Sequence, residues 1–262
     1  MNGKAAGSKE KHEFALFVES LSSLLQEKDS GSNIIIADEK LVHRIVNVLR
    51  FGVGDMCILF DRSVHVSALI TTFVGKKQVN VTIQSVQKTL VLQPTITFLL
   101  PLLKRDDYES ALYALTEVGV STIQLIFTQK IAHQLASSRD SERAQRILIS
   151  AAEQSKNFAY PELQEPIALE IALKKYSTAS SKIFFDPEGK KFFDVMKTLY
   201  DNKAEHVLLL VGPEGDLSLE EKKTLQVNDF IFCALTPTII RAVQAAALGA
   251  GFVRSLLVST TN

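Results

Sequence analysis

A glycine-rich turn with the sequence GPEG, residues 212–215, joins an apolar run to a predicted helix. Its two glycines allow backbone angles, or a close approach to a ligand, that other residues prevent. Ser218 and Glu221 have the spacing of a capping box, which predicts that the helix begins at Ser218. The turn lacks the Gly-Lys-Ser/Thr ending of a P-loop and the three spaced glycines of a dinucleotide fingerprint. The pattern indicates either a ligand-binding loop of another kind or an ordinary strand-to-helix connection.

A second turn, LTPTIIRA at residues 235–242, also follows an apolar run. A strand is predicted to end near Leu235, and a helix is predicted to begin near Ile239, after a Thr-Pro turn. Arg241 would then lie in the first helical turn, where a cation opposes the helix dipole. This placement indicates either a task for Arg241, such as contact with an anionic or electron-rich ligand, or an exposed arginine without one.

Two further predicted helices end in polar residues that could recognise a base edge or another chain. Glu153 and Gln154 end the helix over SERAQRILISAAEQS. Glu117 ends another helix, ahead of Gly119, which has the position of a C-cap residue. A solvated helix end explains the same pattern, so the residue types leave both interpretations open.

Basic side chains of the first part of the chain gather on one predicted helix. Asp38 is expected to cap this helix, which would carry His43, Arg44 and Arg50. These cations form either an RNA-binding patch or an ordinary solvated face. The five histidines of the chain have no metal-ligand spacing, and no Ser-His-Asp or Cys-His arrangement is visible, so we expect no metal.

The elements that must position these residues change in pattern near residue 90. Before it, short β-branched strands and one helix predict a small β-barrel. After it, strands and helices alternate, which predicts a parallel sheet with helices on both faces. One of these strands is predicted over IALEIAL, residues 167–173. We therefore divide the chain into a polar, disordered segment at 1–12, a β-barrel at 13–90 and an α/β domain at 91–262.

Composition narrows the class of protein further. The 262 residues are 46% hydrophobic, and 29 basic residues balance 29 acidic ones, so no global charge attracts a polyanion. Cys57 and Cys233 lie in apolar runs, which indicates buried thiols in a reducing compartment. The polar N-terminus lacks a signal-peptide core, and Arg241, Gln244 and Arg254 interrupt the most apolar tail, which argues against a membrane span. We expect a cytoplasmic protein.

Five segments, taken in order, resemble the RsmE family of ribosomal RNA small-subunit methyltransferases. The similarity extends from about Phe14 to Val258, and the GPEG turn with its helix is its most specific part. The segments are LVHRIVNVLRFGVGD, LLKRDDYESALYALTEVGV, AAEQSKNFAYPEL, LLLVGPEGDLSLEE and LTPTIIRAVQAAA. The resemblance implies an α/β fold with an N-terminal PUA-like, RNA-binding β-barrel and a SPOUT domain, which has a C-terminal trefoil knot.

The resemblance also implies an activity, S-adenosylmethionine-dependent methylation of N3 of a uridine in 16S ribosomal RNA, free or in the small-subunit particle. Carried over by position, the cofactor contacts are expected from Phe127, Thr128, Leu210, Gly212, Glu214, Gly215, Leu235, Thr236, Ile239, Ile240 and Arg241. RNA contacts are expected from His43, Arg44, Arg50, Glu153, Gln154 and Asn157. Arg241 is expected to stabilise negative charge that develops on the uracil oxygens. The resemblance leaves the catalytic base unassigned.

Small side chains line the final predicted helix, where they allow close helix packing. They are Ala242, Ala245, Ala246, Gly249 and Ala250. They serve either the homodimer that the resemblance implies or packing within one chain. Neither a membrane nor a metal is expected as a partner.

The chain departs from the family pattern at positions expected to touch RNA or to order the cofactor loop. Where the family commonly reads LG-x-R-I-L-R-T-E-T-A, this chain reads LTPTIIRAVQA. Family residues are replaced at Thr236, Thr238, Ala242, Val243, Asn157, Ala114 and Asp107. These changes motivate two alternatives: a catalytically weak or inactive SPOUT RNA-binding protein that acts in ribosome assembly, or methylation of a different RNA position.

Overall fold

A computed structural model describes residues 13–257 except Glu27, 131–137 and Asn202, with the side chains of 138–140 also left out. The segment 1–12, for which disorder is expected, lies outside the described residues. The chain divides into two compact units between Thr89 and Leu90.

The first unit contains a five-stranded mixed sheet with the strand order β1-β3-β4-β5-β2, in which only the β1–β3 pair is parallel. Side chains of β4 and β5 alternate between buried and partly exposed, so one face of the sheet forms the core of this unit. Its described elements are β1 (Ala15–Phe17), α1 (Leu21–Leu24), β2 (Asn33–Ile36), α2 (Glu39–His43), a π-helical turn (Arg44–Val48), β3 (Met56–Phe60), β4 (Val64–Val74) and β5 (Gln78–Lys88).

The helix expected to carry the basic residues is shorter than predicted. Asp38 caps it as expected, because its Oδ1 accepts a hydrogen bond from Leu41 N at 2.7 Å. The α-helix ends at His43, and Arg44 begins the π-helical turn, in which Leu49 N donates to Arg44 O. Arg50 lies outside both, in the left-handed conformation with φ 55°. The prediction that the three cations share one helix is therefore wrong.

The second unit contains a six-stranded sheet with the strand order β11-β9-β10-β6-β7-β8. All five strand pairs are parallel, which confirms the predicted parallel sheet. Its described elements are β6 (Thr95–Pro101), α3 (Arg105–Glu117), β7 (Thr122–Phe127), α4 (Ser138–Ser155), β8 (Glu162–Ala168), α5 (Leu169–Lys175), β9 (Ser181–Lys191), α6 (Phe192–Asp201), β10 (His206–Val211), α7 (Leu219–Val227), β11 (Ile231–Ala234) and α8 (Ala242–Leu257).

Helices cover both faces of this sheet, so its central strands are mostly apolar and buried, as in the LLLV run of β10. Leu208 and Leu210 of β10 pack against α5 and α7 in one hydrophobic cluster that also contains Phe184 of β9. The next residue, Phe185, points to the opposite face because side chains alternate along a strand. There its ring lies against Gly249 of α8, where a Cβ atom would clash with it.

The run IALEIAL is predicted to form one strand, but in the structure it does not. Strand β8 ends at Ala168, and Leu169–Lys175 forms α5. Leu169, Ala172 and Leu173 are buried at helical spacing against the sheet. The prediction was wrong because a short apolar run fits both a strand period and a helix period. Within the described ranges, no helix combines the length and apolarity needed to cross a membrane.

A buried arginine attaches the last helix to the end of α3. Arg254 is 7% exposed, and its Nη1 and Nη2 donate to Pro94 O and Gly119 O, each at 2.7 Å. Gly119 was predicted as the C-cap of α3, but Val118 takes that position, and Gly119, with φ 80°, is the left-handed residue immediately after it. Burial lowers the pKa of Arg254 to about 10, so the guanidinium remains charged at neutral pH.

We predict that Arg254→Met lowers the free energy of unfolding by about 2–4 kcal/mol, because it leaves two buried carbonyls without their donors. Urea denaturation followed by circular dichroism measures the change. Arg146→Met removes an exposed arginine from α4 and serves as the control. Equal, small losses in the two variants would mean that water replaces the guanidinium at both carbonyls.

Candidate functional site

Three loops meet at one edge of the parallel sheet. One lies within the second half of β9, and the other two follow β10 and β11; the three strands are neighbours in the order β11-β9-β10. We call them the β9 bulge (residues 185–189), the GPEG turn (212–217) and the third loop (235–241). Because parallel strands end at the same edge, and ligands of open α/β sheets bind beyond that edge, these loops form the candidate site.

The GPEG turn is held by the start of α7. Ser218 Oγ accepts a hydrogen bond from Glu221 N at 3.1 Å, and Glu221 Oε2 accepts one from Ser218 N at 2.8 Å, which confirms the predicted capping box. Glu221 is only 2% exposed. Its second oxygen, Oε1, accepts from Gln129 N at 2.8 Å. One buried carboxylate thus joins α7 to the segment that follows β7.

The segment after β7 contributes two further groups to the candidate site. Lys130 Nζ donates to Gly215 O at 2.6 Å, so the segment also contacts the GPEG turn. Phe127 is partly buried, and Thr128 is 6% exposed. The Oγ1 of Thr128 is buried without a hydrogen-bond partner among the described residues. A buried hydroxyl in this state costs free energy unless a ligand or water pairs with it.

A lysine connects the β9 bulge to the GPEG turn. Lys222 Nζ lies 2.7 Å from Asp186 Oδ2 and 2.7 Å from Asp216 Oδ2. Burial disfavours the charged form of Lys222, but its hydrogen bonds to the two carboxylates outweigh this effect and raise its pKa. Asp186 is 4% exposed, and its Oδ1 also accepts a hydrogen bond from Glu188 N at 2.8 Å. The carboxylate that binds Lys222 is therefore itself held by the backbone of the β9 bulge.

Sequence reasoning missed the β9 bulge. Strand β11 pairs Phe232 with Phe184 and then Cys233 with Lys190, so the intervening residues of β9 loop out of the ladder. Gly189 returns the chain to the ladder, where a Cβ atom would collide with the backbone nitrogen of Cys233. The available signal was a second Pro-Glu-Gly, at 187–189, which follows an apolar run as the GPEG turn does.

A small cavity lies between the β9 bulge and the third loop. Its volume is about 50 Å³. The lining residues are Phe185, Asp186, Pro187, Cys233, Leu235, Thr236, Thr238, Ile240 and Ala245. Burial raises the pKa of Cys233 to about 12, so its thiol stays neutral at this cavity.

The third loop differs from the prediction. Helix α8 begins at Ala242, so Ile239 and Arg241 precede it. Arg241 O accepts from Ala245 N at 2.9 Å, which is the first helical hydrogen bond, so Arg241 occupies the position before the helix. The prediction that Arg241 lies inside the first helical turn, where its charge would oppose the helix dipole, is therefore wrong. Thr236 Oγ1 donates to Thr238 O at 2.6 Å and keeps the loop compact.

Charged side chains from three elements meet at the rim of the site. Lys104 Nζ lies 2.8 Å from Glu214 Oε2, and the hydrogen bond from Lys104 lowers the pKa of Glu214. Arg241 Nη1 is 4.0 Å from Asp107 Oδ1, and its charge also lowers the pKa of Glu214. The rim thus brings together two residues from sequence analysis, Glu214 and Arg241, with two from the start of α3.

The remaining residues from sequence analysis lie elsewhere. Leu210 is buried within β10, below the GPEG turn. Glu153 and Gln154 are at the end of α4, and Asn157 Nδ2 donates to Thr116 O at 2.9 Å, so the amide joins the ends of α4 and α3. The basic residues of the α2 region, His43, Arg44 and Arg50, belong to the first unit.

Comparison with known proteins decides the family. Residues 92–253, more than half of the chain, match the model of the RNA methyltransferase domain. The chain belongs to this family of RNA methyltransferases. The match covers all three loops of the candidate site and the segment after β7.

Relatives and solved structures confirm the resemblance to the RsmE family. The chain is 24% identical to ribosomal RNA small subunit methyltransferase E of Rickettsia conorii, over 86% of this chain and 91% of the relative. The identity to the Bacillus subtilis protein of that name is 25%, over 84% of this chain and 89% of that protein. The structure of ribosomal RNA small subunit methyltransferase E from Neisseria gonorrhoeae, bound to S-adenosyl methionine, matches with a TM-score of 0.79 at 22% identity. It covers 94% of this chain and 98% of that protein, which establishes the shared α/β fold.

We predict that Glu221→Gln destabilises the methyltransferase by about 1–3 kcal/mol, because an amide has one acceptor oxygen where two buried N–H groups need partners. The backbone amide of Gln129 or of Ser218 should exchange its hydrogen faster in this variant than in the unaltered protein. Glu220→Gln changes an exposed neighbour by the same chemistry and should leave stability and exchange unchanged. Unchanged exchange in both variants would contradict the bridging role of Glu221.

Proposed function

We propose that this RNA methyltransferase transfers the methyl group of S-adenosylmethionine to N3 of a uridine in 16S ribosomal RNA of the small subunit. The observation that carries the proposal is the GPEG turn, fixed by Glu221 and Lys222 between the β9 bulge and the segment after β7. The relatives named ribosomal RNA small subunit methyltransferase E support the RNA substrate. The neighbouring structure with bound S-adenosyl methionine supports the cofactor.

The residues of the site fit the cofactor chemically. Thr128 offers a buried hydroxyl that has no partner among the described residues, and the lining of the small cavity is largely apolar, as is typical of pockets for small organic ligands. The cavity of about 50 Å³ is smaller than the roughly 300–1,000 Å³ of pockets for small molecules, so it would hold only part of the cofactor. The proposed contacts are Phe127, Thr128, Leu210, Gly212, Glu214, Gly215, Leu235, Thr236, Ile239, Ile240 and Arg241.

When bound, S-adenosylmethionine supplies the electrophilic methyl group. The chain must hold the uridine in line with this group, since positioning lowers much of the barrier, and the N3 proton must leave because the protonated imide is a poor nucleophile. Arg241, 74% exposed at the rim, can approach the uracil oxygens and stabilise their developing negative charge. Glu153, Gln154 and Asn157 are proposed to place the RNA.

The finer architecture is part of the same proposal. Residues 13–90 would form a PUA-like barrel that binds RNA through His43, Arg44 and Arg50, and residues 91–262 a SPOUT domain with a trefoil knot. A cytoplasmic homodimer is proposed. The buried Gly249 serves packing within the chain, against Phe185, whereas Phe193 and Phe252 expose apolar surface on α6 and α8 that a second copy could cover.

A second candidate function is RNA binding in ribosome assembly with weak or absent catalysis. The rim favours it in one respect, because Asp107 and Glu214 surround Arg241 with negative charge. The replaced positions Thr236, Thr238, Ala242, Val243 and Asn157 motivate it as well. Methylation at another RNA position is the remaining alternative, since the residues proposed to face the RNA differ most from the family pattern.

Two measurements separate these functions. Calorimetry of the full chain with S-adenosylmethionine should show binding, and mass mapping of 16S ribosomal RNA after gene deletion should show loss of one N3-methyluridine. Arg241→Ala is expected to lower the methylation rate constant by about 10²–10³-fold. Binding without any change in the RNA would favour the assembly factor, and loss of a methyl group elsewhere would favour the other position.

We predict that Lys222→Met weakens S-adenosylmethionine binding by about tenfold, because the β9 bulge and the GPEG turn lose their common ion pair and the buried Asp186 loses its partner. Calorimetry measures the affinity. Lys222→Arg should restore most of it, and Lys223→Met, an exposed neighbour, is the control. Equal affinities for both methionine variants would show that the lysine bridge has no part in cofactor binding.

A further inference from the structure

A second, larger cavity lies away from the three loops of the candidate site. Its volume is about 390 Å³, within the range of pockets that hold small organic groups. We call it the α4 pocket, because α4 forms one wall, with the start of α3 and the strands β7 and β8 as the others. The lining residues are Leu102, Leu103, Arg105, Tyr108, Glu109, Leu125, Ser141, Arg143, Ala144, Gln145, Ile147, Leu163, Gln164, Glu165 and Pro166.

The α4 pocket combines an apolar part with a polar rim. Leu125 is buried in β7, and Leu163 of β8 is partly exposed beside it. At the rim, Arg143 Nη2 donates to Glu109 Oε2 at 2.7 Å, and Arg105 Nε donates to Glu109 Oε1 at 3.2 Å. Two guanidinium groups are thereby held by one carboxylate, which restricts their rotamers at the mouth of the pocket.

Charge balance limits what the α4 pocket can bind. Arg105 and Arg143 contribute two positive charges to the lining, and Glu109 and Glu165 contribute two negative ones. The described residues of the lining thus carry no net charge, which favours a neutral group over a free phosphate or a metal ion. Its donors and acceptors, together with the leucine surface, suit a flat ring with an apolar face and a polar edge. A nucleobase has both features, and its edge is read by arginine, glutamine and glutamate side chains.

We propose that the α4 pocket holds an unpaired base of the RNA substrate, a nucleotide other than the methylated one. The inference rests on the proposed function for its substrate class. Three strand spacings, about 14 Å, separate the β9 bulge from β7 at the α4 pocket, and the start of α3 borders both places, with Lys104 and Asp107 at the rim and Arg105 and Glu109 at the pocket. One base cannot occupy both places. The pocket therefore selects RNA in which a second unpaired base lies at this distance from the target uridine.

Photo-crosslinking tests the occupant directly. A 12-nucleotide single-stranded RNA with one central 4-thiouridine is irradiated with the full chain, and the crosslinked peptides are identified by mass spectrometry. We expect crosslinks in peptides that contain Ser141–Ile147 or Leu163–Pro166, which belong to the α4 pocket and not to the rim of the candidate site. Crosslinks confined to other peptides would overturn the proposal.

Matched variants separate pocket binding from general attraction of a polyanion. Ser141→Trp fills the mouth of the pocket from an exposed helical position, and Ser141→Ala leaves it open. Arg143→Gln removes a rim cation, and Arg146→Gln removes an exposed cation of α4 outside the lining. We expect Ser141→Trp and Arg143→Gln to weaken binding of the 12-mer about tenfold by fluorescence anisotropy and their partners less than twofold. Equal losses within each pair would overturn the proposal.

The same samples distinguish failure of this inference from failure of the proposed function. Calorimetry with S-adenosylmethionine should give the same affinity for all four variants, since the altered residues belong to α4 and not to the three loops or the segment after β7. Cofactor binding and methyl transfer together with unchanged RNA affinity in Ser141→Trp would refute the α4 pocket alone. Absence of cofactor binding in the unaltered chain would refute the proposed function and leave the crosslink result to decide the pocket.

Discussion

The arrangement of the candidate site depends on one buried carboxylate. Glu221 accepts hydrogen bonds from the backbone of Ser218 and of Gln129, so one side chain caps α7 and holds the segment after β7. A carboxylate at this depth is stable because backbone N–H groups and the start of a helix surround it. Lys222, the next residue, reaches to the other side and binds Asp186 and Asp216. Two adjacent residues of α7 therefore position three of the segments that surround the site.

The rest of the second unit supports this arrangement through close backbone contacts. Gly189 lets β11 approach the β9 bulge, and Gly249 lets α8 approach Phe185, and in both places a Cβ atom would clash. Arg254 then fixes the far half of α8 to the end of α3. The third loop, which lines the small cavity opposite the β9 bulge, is held by the hydrogen bond from Thr236 Oγ1 to Thr238 O. It is also the segment in which the RsmE pattern is most altered, at Thr236 and Thr238.

Local signals along the chain predicted the elements of the site well, and errors arose where a signal fits two structures. The Ser218 and Glu221 spacing gave the start of α7 correctly, since a capping box depends only on residues three apart. The IALEIAL run was divided between β8 and α5, because packing against the sheet selected the helical period for its second half. Arg241 was placed inside the first turn of α8 because the helix was predicted to begin near Ile239, three residues before its observed start at Ala242. The boundary of a helix is decided by which carbonyl accepts its first hydrogen bond.

By itself the sequence determined the alternation of strands and helices after residue 90, the GPEG turn with its cap, and membership of a family whose motifs occur in order along the chain. These features depend on neighbours within a few residues, so periodicity and residue type suffice to predict them. The tertiary structure alone decided that Glu221 reaches Gln129, that Lys222 joins Asp186 to Asp216, and that Arg143 and Arg105 share Glu109 at the α4 pocket. Glu221 and Gln129 are 92 residues apart in the chain, Lys222 and Asp186 are 36 apart, and Arg143 and Glu109 are 34 apart, so only the packing of the elements around the sheet brings these pairs together.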